Sequence, residues 1–247
     1  MMSPPVRDEE RSATQSESSP FAGTNRLPLE SGDRLTRREF ERRYAAQPDI
    51  KKAELIEGVV HLPPPVPFAG HGEPHAWIVF WLTTYSTHTP GVRVAGNASI
   101  RLDSRNEPQP DALLRIEREA GGRSRVSDDD YVEGAPELVV EVASSSAACG
   151  LHERRHAYIR NGVQEYVLWR VDDQAVDWFV LKDGDYRPLA ADATDGVIRS
   201  EVFPGLRLAV NGLLTENVSE LLAALCEGIG RREHIEFVER LLLQSKA

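Results

Sequence analysis

Apolar residues recur along the chain in two rhythms, helical and alternating, and the switches between them outline the elements. In "LTRREFERRYAA", Thr36 can cap a helix with Glu39 three residues on, and Leu35 and Phe40 can staple its first turn. That predicts a short amphipathic helix. "AELIEGVVHL" (Ala53 to Leu62) is β-branched and alternating, which predicts one strand stopped by "PPPVP". "EPHAWIVFWLTTYSTH" returns to helical spacing through Trp77, Ile78, Trp81, Leu82 and Tyr85. Strands follow in "GVRVAGNASIRL" and in "PDALLRI", which is entered through Pro110, and "DDDYVEGAP" reads as a loop. "ELVVEVA" is nearly all apolar, as a strand covered on both faces would be. A helix then runs to about Arg160, where "NG" ends it. "QEYVLWRV" and "AVDWFVL" predict two strands joined by a "VDDQ" hairpin turn, and "GDYRPL" and "GVIRSEVFPGLRLAV" predict further short strands. Two helices, "LLTENVSELLAALCEG" and "RREHIEFVERLLLQ", close the chain. This order predicts an α/β protein with a mixed central β-sheet flanked by helices. Trp77, Trp81, Trp169 and Trp178 fit packing in the core or on a sheet face.

Composition divides this pattern into regions. Residues 1–30 are rich in Ser, Pro and charge without apolar periodicity, and read as a disordered tail. Residues 31–212 hold the α/β domain, and 213–247 a helical extension that either pairs two copies as a homodimer or covers the sheet. A net charge of −10 argues against a protein that coats nucleic acid generally, but leaves room for an enzyme with a local basic groove. The two cysteines, Cys149 and Cys226, imply no disulfide framework. No apolar run is long enough to cross a membrane and no secretory h-region opens the chain, so the expectation is a cytoplasmic protein.

Two acids break the apolar logic of their strands. Glu141 lies inside "LVVEVA", and Asp111 opens "DALLRI" directly after a proline. A buried carboxylate must be paired, hydrogen-bonded or bound to metal. Taken singly, Glu141 fits an ion pair with an arginine and Asp111 a turn or cap. On adjacent strands, however, the two can converge into a hard oxygen site suited to Mg²⁺ or Mn²⁺, as phosphodiester hydrolysis needs.

A rival chemistry is written in "CGLHERRHAYIRNG", where His152, Glu153 and His156 spell H-E-x-x-H. The two central arginines, the short helix and the lack of a third ligand disfavour a zinc hydrolase. His71 and His75 are also four apart, and a capping, hydrogen-bonding or cleft-lining role fits them better than ligation. "SSS" at Ser144 to Ser146 has no G-x-S-x-G elbow around it, which disfavours a serine hydrolase. The arginines of "TRREFERR", with Lys51 and Lys52, read either as a solvated face or as a contact to a DNA backbone.

The series "LTRREFERR", "AELIEGVV", "QPDALLRI", "GAPELVVEVASSS" and "YIRNGVQEYVLWRV" resembles the Uma family of putative restriction endonucleases, within the PD-(D/E)XK nuclease superfamily. The resemblance spans roughly Leu35 to Leu208. It implies a restriction-endonuclease-like core, DNA as substrate and a divalent metal held by Asp111 and Glu141. Glu54, with Glu57 beside it, matches an acidic position as a weaker candidate for the same metal. The superfamily's usual lysine position, two residues after the strand acid, is Ala143. The resembling family places its lysine on the next helix in the pattern D-x-x-x-K-x-x-x-Y. Alignment on Tyr158 puts Arg154 at the lysine position and Gly150 at the aspartate position. Arginine keeps the charge but is a poor base with a different reach, so the resemblance implies either a catalytic role for Arg154 with weakened activity or a catalytically inactive nuclease fold that binds nucleic acid or a partner.

Overall fold

The computed structural model describes residues 27–144 and 150–246. Most of the expected tail, together with Ser145, Ser146 and Cys149, lies outside them. The elements in chain order are α1 (Arg37–Ala45), β1 (Glu54–Ile56), β2 (Val59–His61), α2 (Glu73–Thr87), β3 (Val92–Gly96), β4 (Ile100–Arg101), β5 (Ala112–Ile116), β6 (Arg125–Val126), β7 (Val132–Glu133), β8 (Leu138–Ala143), α3 (Leu151–Asn161), β9 (Glu165–Arg170), β10 (Ala175–Lys182), β11 (Asp185–Pro188), β12 (Val197–Arg199), β13 (Arg207–Ala209), α4 (Val210–Leu214), α5 (Val218–Ile229) and α6 (Arg232–Gln244).

The central sheet has six strands in the order β11-β10-β9-β8-β5-β3. All its pairings are antiparallel except β8 with β9, which α3 joins as a crossover. Strand alternation splits the buried residues between two faces. Val140, Val142, Ala112 and Leu114 pack toward α2 in the main core, while Val139, Ala143 and Leu113 pack toward α3 in a second cluster. The main core contains an edge-to-face pair, Trp81 and Trp178, with ring centroids 5.8 Å apart, and the Trp81 indole N–H donates to the Arg207 carbonyl at 2.9 Å. Leu221 and Leu225 of α5 and Phe237 and Leu241 of α6 belong to this core, so the C-terminal helices cover the sheet side of the domain.

Several sequence expectations are corrected here. Ala53 to Leu62 forms a hairpin of two strands, because Glu57 and Gly58 both adopt positive φ (53° and 75°), the turn geometry that suits right-twisted antiparallel strands. "GVRVAGNASIRL" breaks into β3 and β4 at Asn97, which also has positive φ (53°). The expected loop "DDDYVEGAP" contains β7, the middle strand of a small three-stranded sheet with β4 and β6. The first C-terminal helix divides into α4 and α5 at Asn217, whose side chain caps α5 by accepting from the Glu220 N–H.

Candidate active site

The two strand acids meet through register. Ala112 pairs with Val140, so one step outward along the antiparallel ladder sets Asp111 across from Glu141. Residues directly opposite in such a ladder point to the same face, here the face covered by α3. Both acids are nearly buried, at 3% and 7% exposure. They line a cleft of about 650 Å³ with Glu54, Arg154, His71, Lys51 and Lys52. One wall is the stiff run Leu62 to Val66, rich in proline.

Each acid has definite partners. Asp111 Oδ2 accepts from the Val142 N–H at 2.7 Å, and Oδ1 lies 3.2 Å from His71 Nε2. Burial works against the Asp111 charge, but His71 outweighs it and holds the carboxyl below its ordinary pKa. Glu141 Oε1 accepts from the Tyr158 hydroxyl at 2.7 Å and lies 3.7 Å from Arg154 Nε. Burial pushes the Glu141 pKa up, to about 7. Arg154 opposes that rise, and the nearby charges of Asp111 and Glu54 add to it. Glu54, 1% exposed on β1, accepts from the Gln109 N–H at 2.8 Å and pairs with Arg154 Nη2 at 2.5 Å. Arg154 is therefore held between two carboxylates. Burial disfavours its charge, but Glu141 and Glu54 raise its pKa above the ordinary arginine value, so it stays a fixed cation.

His71 sits on a π-helical turn, Phe68–Gly72, that leads into α2. Such turns often mark functional sites. Its Nδ1 lies 3.0 Å from the Val142 carbonyl. The Asp111 hydrogen bond raises the His71 pKa, against burial. His75 stacks on it with ring centroids 5.9 Å apart, and its Nε2 donates to the Asp111 carbonyl at 2.8 Å. His75 thus props the backbone of the acid.

Asp111, Glu141, Arg154 and Glu54, singled out in sequence, are brought into one cleft. Others are not. Glu57 turns away from the cleft and pairs with Arg160 at 2.8 Å, because its turn position directs it outward. His152 and His156 are exposed, with rings 4.2 Å apart. Arg42 and Arg43 of α1 are bound to Glu39, and Arg37 to Glu41. The cations of that segment that line the cleft are Lys51 and Lys52. Glu165, at the start of β9, is a buried anchor for the loop at Ser200 to Val202. Sequence reasoning allowed His71 a cleft-lining role, which the structure gives it, but not its pairing with Asp111. The one hint was a histidine after a proline run, at the mouth of a core helix.

Among the described residues, no three His, Cys, Asp or Glu side chains form a closed metal cage. Arg154 and His71 compensate the acids in its stead. The donor set still suits a hard divalent cation. Glu54 and Glu141 flank the Arg154 guanidinium, Asp111 lies across the ladder from Glu141, and the Glu141 carboxyl is pushed up partly by its acidic neighbours. Mg²⁺ is commonly held by one or two carboxylates, with water completing its shell.

A mixed sheet with a helical crossover and acids on adjacent strands defines a restriction-endonuclease-like α/β core. The chain belongs to the Uma2 family, described as putative restriction endonucleases, whose profile matches residues 37–211. A putative nuclease from Anabaena variabilis, known from a crystal structure, is similar in fold. It shares 15% identity at a TM-score of 0.53, over 70% of this chain and 96% of that one. No functionally curated protein matches the chain. No helix among the described residues is long and apolar enough to cross a membrane.

Proposed function

We propose that the protein is a divalent-metal-dependent endonuclease that hydrolyses DNA phosphodiester bonds. The observation that carries this reading is the pairing of Asp111 and Glu141 on one strand face, at the floor of a cleft lined by Lys51, Lys52 and Arg154. Asp111 and Glu141 would hold Mg²⁺ or Mn²⁺, with Glu54 assisting. When bound, such an ion supplies positive charge to a phosphate oxygen and lowers the pKa of a water. Tyr158 orients the Glu141 carboxylate through its hydroxyl. Arg154 cannot give up its proton at working pH, so it stabilises negative charge on the phosphate and does not act as a base. Lys51 and Lys52, on the cleft rim, meet the DNA backbone. The test is a plasmid-nicking assay with and without Mg²⁺ or Mn²⁺. Nicking that persists undiminished in both Asp111→Ala and Glu141→Ala would sink the assignment.

One observation favours a second reading, a catalytically silent nuclease fold that binds nucleic acid or a partner. Arg154 already engages both Glu54 and Glu141. On that reading wild-type protein does not nick DNA, and Arg154→Lys, alone or with Gly150→Asp, restores cleavage.

A further inference from the structure

His71 stands between two oxygens of the site. The Val142 carbonyl only accepts, so the facing Nδ1 carries a proton. The other nitrogen, Nε2, then faces Asp111 Oδ1 at 3.2 Å. An ionised carboxylate also only accepts, so a cation must lie between the two atoms: either a second ring proton or a metal ion. Two ligands ~2.1 Å from one ion at right angles are ~3 Å apart, which is close to the spacing found. Metal-binding histidines generally donate their second ring N–H to a carbonyl or carboxylate, fixing tautomer and ring orientation. The hydrogen bond from Nδ1 to Val142 is of that kind. His75 contrasts with it, because its Nε2 is spent on the Asp111 backbone.

Resting on the metal-dependent reading above, we propose that His71 is itself a metal ligand through Nε2, beside Asp111. Mg²⁺ and Mn²⁺ both suit oxygen donors, but Mg²⁺ gives up its waters reluctantly, whereas Mn²⁺, the transition metal of the two, accepts an imidazole nitrogen more readily. His71 therefore biases the site toward Mn²⁺ over Mg²⁺.

The probe is Mn²⁺ added to the full chain, followed by electron paramagnetic resonance. Free Mn²⁺ gives the affinity, and spin-echo modulation from a coupled nitrogen gives the ligand type. Wild-type protein shows nitrogen modulation. His71→Ala and His71→Gln lose it and bind Mn²⁺ about tenfold or more weakly, while Mg²⁺ affinity, read by competition, changes less. His75→Gln keeps the modulation. Circular dichroism checks that each variant is folded, and the glutamine retains a side-chain donor for the Val142 carbonyl. Mn²⁺ binding without nitrogen modulation, or with undiminished affinity in both His71 variants, would overturn the proposal and leave His71 as a protonated partner of Asp111. Asp111→Ala separates the two levels of the argument. Mn²⁺ binding lost in that variant but retained in the His71 variants defeats only the His71 assignment. A wild-type chain that binds no Mn²⁺ defeats the metal-dependent reading as well.

Discussion

At the residue scale, the decisive property of the cleft is how its charges are balanced. Asp111 and Glu141 are expected to be indispensable, and alanine at either should lower metal-dependent nicking by roughly a thousandfold, about 4 kcal/mol of lost transition-state stabilisation. Arg154→Lys tests the balance differently, because lysine is a shorter point charge that cannot bridge Glu54 and Glu141 as a planar fork does. If the wild type nicks robustly, Arg154 does not disable the site. If only the lysine variant nicks, it does. Gly150→Asp is less simple than the alignment suggests. Gly150 has φ of +82°, and a Cβ there would meet Arg154 Nη1 at 2.9 Å. The new carboxylate would arrive against the very cation it is meant to orient.

Glu165 supplies a pH test outside the site. Burial pushes its pKa up to about 7, against the hydrogen bonds from Ser200, Glu201 and Val202. The folded chain therefore keeps a proton that the unfolded chain releases near pH ~4.3. Stability from this group is whole below that pH and is lost as pH rises through about 7. Glu165→Gln should flatten the urea midpoint between pH 5 and 7.5 and raise stability at pH 8 by at most ~3 kcal/mol. An unchanged pH slope would contradict it.

At the element scale, the β1–β2 hairpin decides where Glu54 points. Its turn residue Gly58 has φ of +75°, and a Cβ there would lie 3.0 Å from Arg105 Nε and 3.2 Å from the Leu35 carbonyl. Gly58→Ala should cost about 1–2 kcal/mol in chemical denaturation. It should also loosen the Glu54 to Arg154 pair, which weakens Mn²⁺ binding in the same variant. This hairpin also marks the limit of what the sequence makes legible. The long elements α2, β8, α3, β9 and β10 are readable because their apolar period is sustained. The hairpin is not, because "AELIEGVVHL" alternates straight through its turn and only the conformation of Glu57-Gly58 breaks it. Asp111 and Glu141 are legible as acids in apolar strands, and Glu54 only through the resemblance to the family. The role of His71 is not, since it depends on a π-helical turn and on contact with a strand 71 residues away.

At the scale of the whole molecule, the C-terminal helices are part of the main core. Leu221, Leu225, Phe237 and Leu241 are each 6% exposed or less and pack with α2 and the sheet. Removing four such side chains forfeits several kcal/mol, comparable to the whole stability of an ordinary domain. A chain ending at residue 217 should therefore be largely unfolded or aggregated. Circular dichroism and size-exclusion chromatography check this, and a compact, cooperatively melting product would show that the helices are dispensable.

The pair between Glu54 and Arg154 joins positions 100 residues apart. Contacts of that span form late, after the intervening chain has been ordered. During synthesis Glu54, Asp111 and Glu141 all emerge before Arg154, and Leu241 emerges last of all. The cleft therefore closes only after Arg154 and the core helices beyond it have emerged, and a nascent chain that stops short of them carries its acids without the cation that arranges them.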